Sequence, residues 1–327
     1  MNMLTDQFGR TATDLRISVT DRCNYRCVYC MPSHVEWLPK PQILTFDEIE
    51  ILARLFLKLG VNQFRITGGE PLVRRDVHHL AARLAKLEGL QDLSLTTNGF
   101  HLQELAGSLK EAGVTRINIS LDSLRPDRFA EITRSDSFNR VMKGIDAARE
   151  AGFDPIKINC VAIRGFNDDE IADFLRWGRE QRLQIRFIEF MPLDGDHNWN
   201  RSRVLTQAEI LEKAREAGDI QELFEEQPAP ANKFSYASGE GRFGVIPSVS
   251  QPFCSNCNRI RITAEGKFRN CLFAIQETDL REPLRSGGGE EELERLIRGA
   301  VHEKWAGHKV NDPDFTQPKR AMYAIGG

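Results

Sequence analysis

Six short runs of strand character, 15–20, 62–67, 92–98, 116–122, 155–163 and 184–190, recur through the first two thirds of this 327-residue chain, and their internal alternation constrains the fold most. Arg16, Ser18 and Thr20 alternate with Leu15, Ile17 and Val19, and Arg116, Asn118, Ser120 and Asp122 alternate with Ile117, Ile119 and Leu121. Arg65 and Thr67, then Ser94, Thr96 and Asn98, then Lys157 and Asn159 against Ile156 and Ile158, repeat the pattern. Helical patterns fill most of the gaps. Thr45 and Glu48 have capping-box spacing ahead of a stripe of Ile49, Leu52, Leu55, Phe56 and Leu59, and Asn167 and Glu170 repeat that signature before Ile171, Phe174 and Leu175. Strand, helix, strand spacing predicts crossover connections and a mostly parallel sheet, open or curled into a barrel. An antiparallel sheet with one wet face would alternate too, but crossover helices cover the outer face of a parallel sheet and claim its apolar side chains. The polar set must then line an interior. Closed eight-stranded barrels fill that interior with branched apolar residues, so a lumen bearing Arg16, Arg65, Arg116 and Lys157 reads as an open cavity suited to an anionic ligand.

After Met191-Pro192 the rhythm stops. A helix start at Thr206 and Glu209 leads into sequence that reads as irregular, with a Pro-, Ala-, Ser- and Gly-rich stretch over 227–244. Two regions are expected, 1–192 and 193–327. A formal charge of -3 gives no general electrostatic reason to bind nucleic acid or an anionic membrane, so any polyanion must be held by a local cluster of cations. The N-terminus lacks an apolar signal region and no apolar run approaches a membrane span, from which a cytoplasmic protein with no membrane partner is expected.

Six of the seven cysteines fall into two triplets, Cys23, Cys27, Cys30 and Cys254, Cys257, Cys271. Clustered thiols in such a chain point to metal or redox chemistry rather than a disulfide framework. The first triplet lies just past the end of the first strand, where barrels of this kind place their ligand loops. Structural zinc sites close with four ligands; His34 is the nearest fourth candidate here, and the second triplet has no evident one. Three thiolates on a four-iron cluster instead leave one iron open to a small molecule. Cys-x2-Cys at 254–257 is also a zinc-knuckle spacing, and that alternative stays open on spacing alone. Cys160 shares parity with Ile156 and Ile158 and should pack as a small hydrophobe.

Cys23-x3-Cys27-x-Tyr29-Cys30 with Gly68-Gly69-Glu70-Pro71 resembles the radical S-adenosylmethionine superfamily. The run from Phe253 through Arg261, followed by Cys271-Leu272-Phe273, together with Leu15 to Asn24 and the final Gly326-Gly327, is similar to the molybdenum cofactor biosynthesis protein A family, the GTP 3′,8-cyclases. The resemblance implies an incomplete parallel (βα)6 TIM-like barrel with a C-terminal extension carrying a second iron-sulfur cluster. It implies two 4Fe-4S clusters, on Cys23, Cys27 and Cys30 and on Cys254, Cys257 and Cys271, with S-adenosylmethionine chelated by the first. Tyr29, Gly69, Ser120 and Met191 fall on positions that meet S-adenosylmethionine, and Gly68 and Gly69 would let backbone approach it closely. Arg16, Arg65, Thr96, Lys157, Arg259, Ile260 and Arg261 fall on positions that meet GTP, and the first four lie on the polar parity already derived. Arg186 joins them only if a bulge or an early strand end reconciles its parity with that of Met191.

The implied reaction begins with a 5′-deoxyadenosyl radical removing the C3′ hydrogen of GTP, after which C3′ bonds to C8. The product is (8S)-3′,8-cyclo-7,8-dihydroguanosine 5′-triphosphate, and the step is the first of molybdenum cofactor biosynthesis. The purine radical must then be quenched by an electron and a proton, with the second cluster and Arg259 or Arg261 as the candidate sources, and the double glycine is expected to reach the active site. The implied partners are GTP, S-adenosylmethionine, an electron donor such as flavodoxin or ferredoxin, and a downstream cyclic pyranopterin monophosphate synthase; monomer and homodimer both stay open. The rivals are a peptide-modifying radical enzyme with an auxiliary cluster and a zinc-stabilised binding module without catalysis.

Overall fold

The computed structural model describes residues 3–224, 230–239 and 241–326. All six predicted runs form strands: β1 (Asp14–Ser18), β2 (Gln63–Thr67), β3 (Asp92–Thr97), β4 (Arg116–Ser120), β5 (Lys157–Ala162) and β6 (Gln184–Glu189). They pair in sequence order and in parallel. Thr20, Asn98 and Asp122 lie just beyond the last ladder positions, in the loops at the strands' C-terminal ends. Between the strands lie α1 (Phe46–Lys58), α2 (Val77–Ala85), α3 (Leu102–Glu111), α4 (Pro126–Thr133), α5 (Phe138–Glu150) and α6 (Ile171–Glu180).

Parity sorts the sheet as expected. Leu15, Ile17, Phe64, Ile66, Leu93, Leu95, Ile117, Ile119, Ile158, Cys160, Ile185 and Phe187 are each no more than 1 % exposed, and all belong to one core shared with the helices. Each such side chain is worth roughly 1.5–3 kcal/mol on burial. The opposite face carries the polar set, in register: Arg16 opposite Arg65, Thr96 opposite Asn118, and Asn159 between Ser120 and Arg186. β6 ends at Glu189, so Met191 lies in the following loop, and the early strand end resolves its parity conflict with Arg186.

The last third departs from the expected irregularity. After α7 (Gln207–Ala214), capped by Thr206 and Glu209, come β7 (Ile220–Leu223), β8 (Asn232–Tyr236) and β9 (Arg242–Ile246), so described parts of 227–244 are strand; residues 227–229 and 240 lie outside the described residues. β10 (Arg259–Ile262), β11 (Lys267–Arg269) and β12 (Thr278–Asp279) follow, then α8 (Arg281–Ser286) and α9 (Gly289–His302). Among the described residues these strands make one sheet in the order β12-β11-β10-β1-β2-β3-β4-β5-β6-β9-β8-β7. β10 and β9 extend the parallel region at its two edges, and antiparallel hairpins finish each side.

The two predicted capping boxes part ways. Thr45 and Glu48 make one at α1. Asn167 and Glu170 do not: Asn167 Nδ2 donates to the Asp122 and Val161 carbonyls, and buried Glu170 accepts from Ser123 Oγ, the Leu124 N–H and Arg128. The carboxylate braces the β4–α4 connection instead of capping α6. Among the described residues no helix is long and apolar enough to cross a membrane.

Candidate active site

The first cysteine loop leaves β1 at the C-terminal end of the parallel strands. All three thiols are free and partly buried, and each lies near enough to perturb the others. Burial, reinforced by Glu70, pushes the Cys23 thiol up to about 12, and burial likewise raises Cys27 and Cys30. The sulfurs receive donors from separate parts of the chain. Tyr25 N–H lies 3.4 Å and Asn98 Nδ2 3.9 Å from Cys23 Sγ, while the Tyr323 N–H near the C-terminus donates to Cys30. Gly68-Gly69-Glu70 closes over this loop. The Gly69 N–H donates to the Thr20 carbonyl at 2.7 Å and the Glu70 N–H to the Arg22 carbonyl at 2.8 Å. A Cβ on Gly69 would stand 2.5 Å from the Arg22 oxygen, so the glycines are needed first for chain against chain, a reason the sequence reading had assigned to the ligand. The Glu70 carboxyl, raised to about 7 by burial, accepts from Leu72 N–H, Asn98 N–H and Thr97 Oγ1 and fixes the loop to β3.

Tyr29 donates its hydroxyl to Asp122 at 2.8 Å, and Asp122 also accepts from the Val161 N–H. Half-buried Ser120 faces Asn159, whose buried Oδ1 has no partner. Met191 packs against a second small core containing Leu193 and Ile325. His34, the one candidate fourth ligand, is exposed.

The second triplet is built differently. Cys254 and Cys257 flank a short turn before β10, and Cys271 follows β11. Burial would raise Cys257, but Arg259, Lys304 and the Arg259 N–H outweigh it and bring that thiol down to about 7, whereas burial leaves Cys254 raised. Among the described residues no group of three or more His, Cys, Asp or Glu is gathered tightly enough for a single ion. The thiols of both triplets are free, and N–H groups donate to their sulfurs: Tyr25, Asn98 and Tyr323 at the first, Arg259 and Lys304 at the second, a donor set that suits thiolate ligation of an iron-sulfur group.

Between the two lies the cationic interior. β10 pairs with β1 so that Arg261, Arg16 and Arg65 stand side by side on adjacent strands. Like charges so placed repel. Among the described residues none of the three makes an ion pair with a carboxylate, and Arg16 Nε and Arg65 Nε are buried without a partner. Burial and neighbouring arginines pull Arg16 well down and Arg261 to about 9. Burial, then Arg186, Arg116, Arg65 and Lys233, bring the Lys157 ammonium to about 7. Arg116 faces the same interior, close enough to act on Lys157 and Arg65, but unlike the row it is paired, with Asp92 on β3 accepting two bonds from its guanidinium. Thr96 does, whereas the Ile260 side chain turns into the core beside Leu15 and leaves only main chain toward the interior. The tail enters here too: Arg261 Nη1 donates to the Gly326 carbonyl, and Gly326, at φ 71°, sits against Thr67 and Ser18. Gly327 lies outside the described residues.

Sequence reasoning missed Arg10, Lys304 and Lys233. The first two sit far in sequence from the cysteine turn they touch, and Lys233 belongs to a strand the composition hid.

Comparison with known proteins accords with this geometry. Residues 17–178 match the family model described as Radical SAM superfamily, and residues 183–310 that described as Molybdenum Cofactor Synthesis C. A Rhodopirellula baltica protein named GTP 3′,8-cyclase is 50 % identical, covering 99 % of this chain and 92 % of that one. A Streptomyces coelicolor protein of the same name is 48 % identical over 100 % of this chain and 97 % of its own, and an Arabidopsis thaliana protein named as the mitochondrial form is 45 % identical over 100 % and 84 %. Among solved structures, Streptococcus suis SuiB bound to precursor peptide SuiA aligns with a TM-score of 0.61 at 15 % identity, over 90 % of this chain and 67 % of that one, a likeness of fold alone.

Proposed function

This chain belongs to the GTP 3′,8-cyclase family of radical S-adenosylmethionine enzymes, and from that premise we propose how its residues divide the work. It is a lyase of molybdenum cofactor biosynthesis acting at the first step, with a 4Fe-4S cluster and S-adenosylmethionine as its radical source. When bound, that pair supplies a one-electron cleavage yielding a carbon radical that takes hydrogen from C3′ of GTP. Cys23, Cys27 and Cys30 hold the cluster, with Asn98 and the Tyr25 and Tyr323 N–H groups tuning its sulfurs. Gly69, Ser120, Met191 and the main chain of Tyr29 bound the S-adenosylmethionine site at the strand ends. Cys254, Cys257 and Cys271 hold a second four-iron cluster beside the guanine, with Arg259, Arg261 and the Ile260 main chain around the base. Arg16, Arg65, Thr96 and Lys157, with Arg186, take the triphosphate.

The row Arg261-Arg16-Arg65 carries this reading, since buried, register-matched cations that Asp14 reaches only without ion-pair contact need a further anion to offset their repulsion. Arg259 and Arg261, both on β10, are the candidate proton sources for the purine. Residues 1–192 thus form the radical-generating part and supply the triphosphate contacts, and 193–327 hold the second cluster and the base. A flavodoxin or ferredoxin supplies the electron, and cyclic pyranopterin monophosphate synthase receives the product.

The test is anaerobic chromatography of 5′-deoxyadenosine and cyclised nucleotide from one reaction. Cys27→Ser should stop all S-adenosylmethionine cleavage. Cys257→Ser should still release 5′-deoxyadenosine slowly while the cyclised product disappears, because C3′ is no longer held in range. Normal cyclisation by Cys257→Ser would make the second site structural and remove the substrate assignment.

A further inference from the structure

A lysine with only 4 % of its surface exposed lies under the second cysteine turn, just past the end of α9. Lys304 Nζ donates to the Cys257 carbonyl at 2.9 Å, to the Arg259 carbonyl at 2.9 Å and to Cys257 Sγ at 3.5 Å. Its three N–H bonds are therefore all directed, which fixes the ammonium between the turn and the first residue of β10. Among the described residues no carboxylate pairs with it, and the cation of Arg259 acts on the same Cys257 thiol. Burying an ammonium in such company is costly unless an anion completes the site.

The neighbouring cysteine is gripped in the same manner. Arg10, paired with Asp6 at 2.6 Å, donates Nη1 to the Cys254 carbonyl at 2.7 Å and to the Ala306 carbonyl at 2.8 Å, and Nη2 to the Trp305 carbonyl. Arg10 and Lys304 thus bind the N-terminal segment, the cysteine turn and 304–306 into one unit. They differ in one respect: Arg10 has its own carboxylate and reaches only main chain at Cys254, whereas Lys304 lacks one and reaches sulfur.

We propose that Lys304 is a positioning residue for the second cluster, holding the Cys257 thiolate in place and, through its charge and its N–H···S contact, making that cluster easier to reduce. The proposal rests on assigning a four-iron cluster to Cys254, Cys257 and Cys271. Hydrogen bonds to sulfur and net local charge are among the quantities that set such potentials. Arg10 serves as the internal contrast, a clamp whose charge is shared with Asp6, whose bonds at the turn go only to main chain, and whose pull on the Cys254 thiol is the least of those acting there.

The experiment uses the full chain carrying Cys23→Ser, Cys27→Ser and Cys30→Ser, so that only the second cluster contributes. Anaerobically reconstituted protein is titrated with dithionite through mediator dyes, the reduced cluster being followed by electron paramagnetic resonance, with and without Lys304→Met. Met should leave iron bound and make the cluster at least about tenfold harder to reduce, a fall of about 59 mV for one electron. Lys304→Arg, which restores charge and donor, should recover most of that fall, and Arg10→Gln should leave the potential near its starting value. An unchanged potential in Lys304→Met overturns the proposal, as does an equal fall in Arg10→Gln. Should Met fail to retain iron, Lys304→Gln takes its place under the same criterion. Absence of iron in the parent three-serine protein would instead overturn the cluster assignment itself.

Discussion

In the proposed triphosphate site, Lys157 would couple substrate binding to pH. Its ammonium, ordinarily near 10.5, is brought to about 7 by burial and by surrounding cations, so half of it is neutral in the free enzyme at pH 7. A bound triphosphate restores the charge. GTP should accordingly take up roughly half a proton on binding at pH 7, rising toward one at pH 9, and bind about tenfold or more weakly across that interval. Calorimetry in two buffers of different ionisation enthalpy measures the uptake, and Lys157→Ala should remove it while costing about 1.5–3 kcal/mol of GTP affinity. For the free enzyme, the unfolded chain binds more protons than the folded one between pH 7 and 10.5, so this group's contribution to stability rises with pH there. Cys160 makes the opposite point. At 1 % exposure within the apolar core, its change to Ala should leave iron content unaltered by elemental analysis; loss of about half the iron would make it a ligand. Arg16, Arg65, Lys157 and Cys160 were legible in the sequence because a strand's period of two commits each side chain to one face. Arg10 and Lys304 were not, since nothing local marks a residue whose partners are carbonyls and a sulfur brought up by distant chain.

Helices and strands were legible wherever period and caps agreed. α1 starts at Thr45 as its spacing requires. The same spacing misled at Asn167 and Glu170, because both side chains had better partners in the β4–α4 connection than in the first turn of α6. Glu170→Ala should lower stability by about 2–3 kcal/mol, depriving the Ser123 hydroxyl and the Leu124 N–H of their carboxylate while Arg128 keeps Asp169; denaturation would show a lower midpoint with an unchanged slope. A change below about 0.5 kcal/mol would mean that water replaces the carboxylate there. β8 and β9 escaped notice for a different reason. Their segment is rich in residues that usually mark turns, and only pairing to β6 and to each other makes them strands.

At the scale of the whole molecule, the tail connects everything. Tyr323 donates to Cys30, Ile325 packs in the small core with Met191 and Cys271, and the Gly326 carbonyl meets Arg261. A Cβ on Gly326 would lie 2.9 Å from Thr67 and 3.2 Å from Ser18, at a positive φ that suits glycine. Gly326→Ala should thus abolish cyclisation while both triplets stay loaded, checked by product chromatography beside iron analysis; full activity would dissociate the tail from catalysis. The overall plan was legible in its first six strands but not in its edges, because β10 joins β1 from far along the chain and no local pattern announces such a partner. That pairing has a consequence on the ribosome. β1 emerges early with one side of its backbone unmatched, and it stays so until residue 259 has been added. A chain stalled or clipped just before residue 259 therefore lacks Arg261 of the row and Cys271 of the second triplet together, and displays a bare strand edge. Such fragments should go to aggregation and proteolysis rather than release radicals without a substrate to receive them.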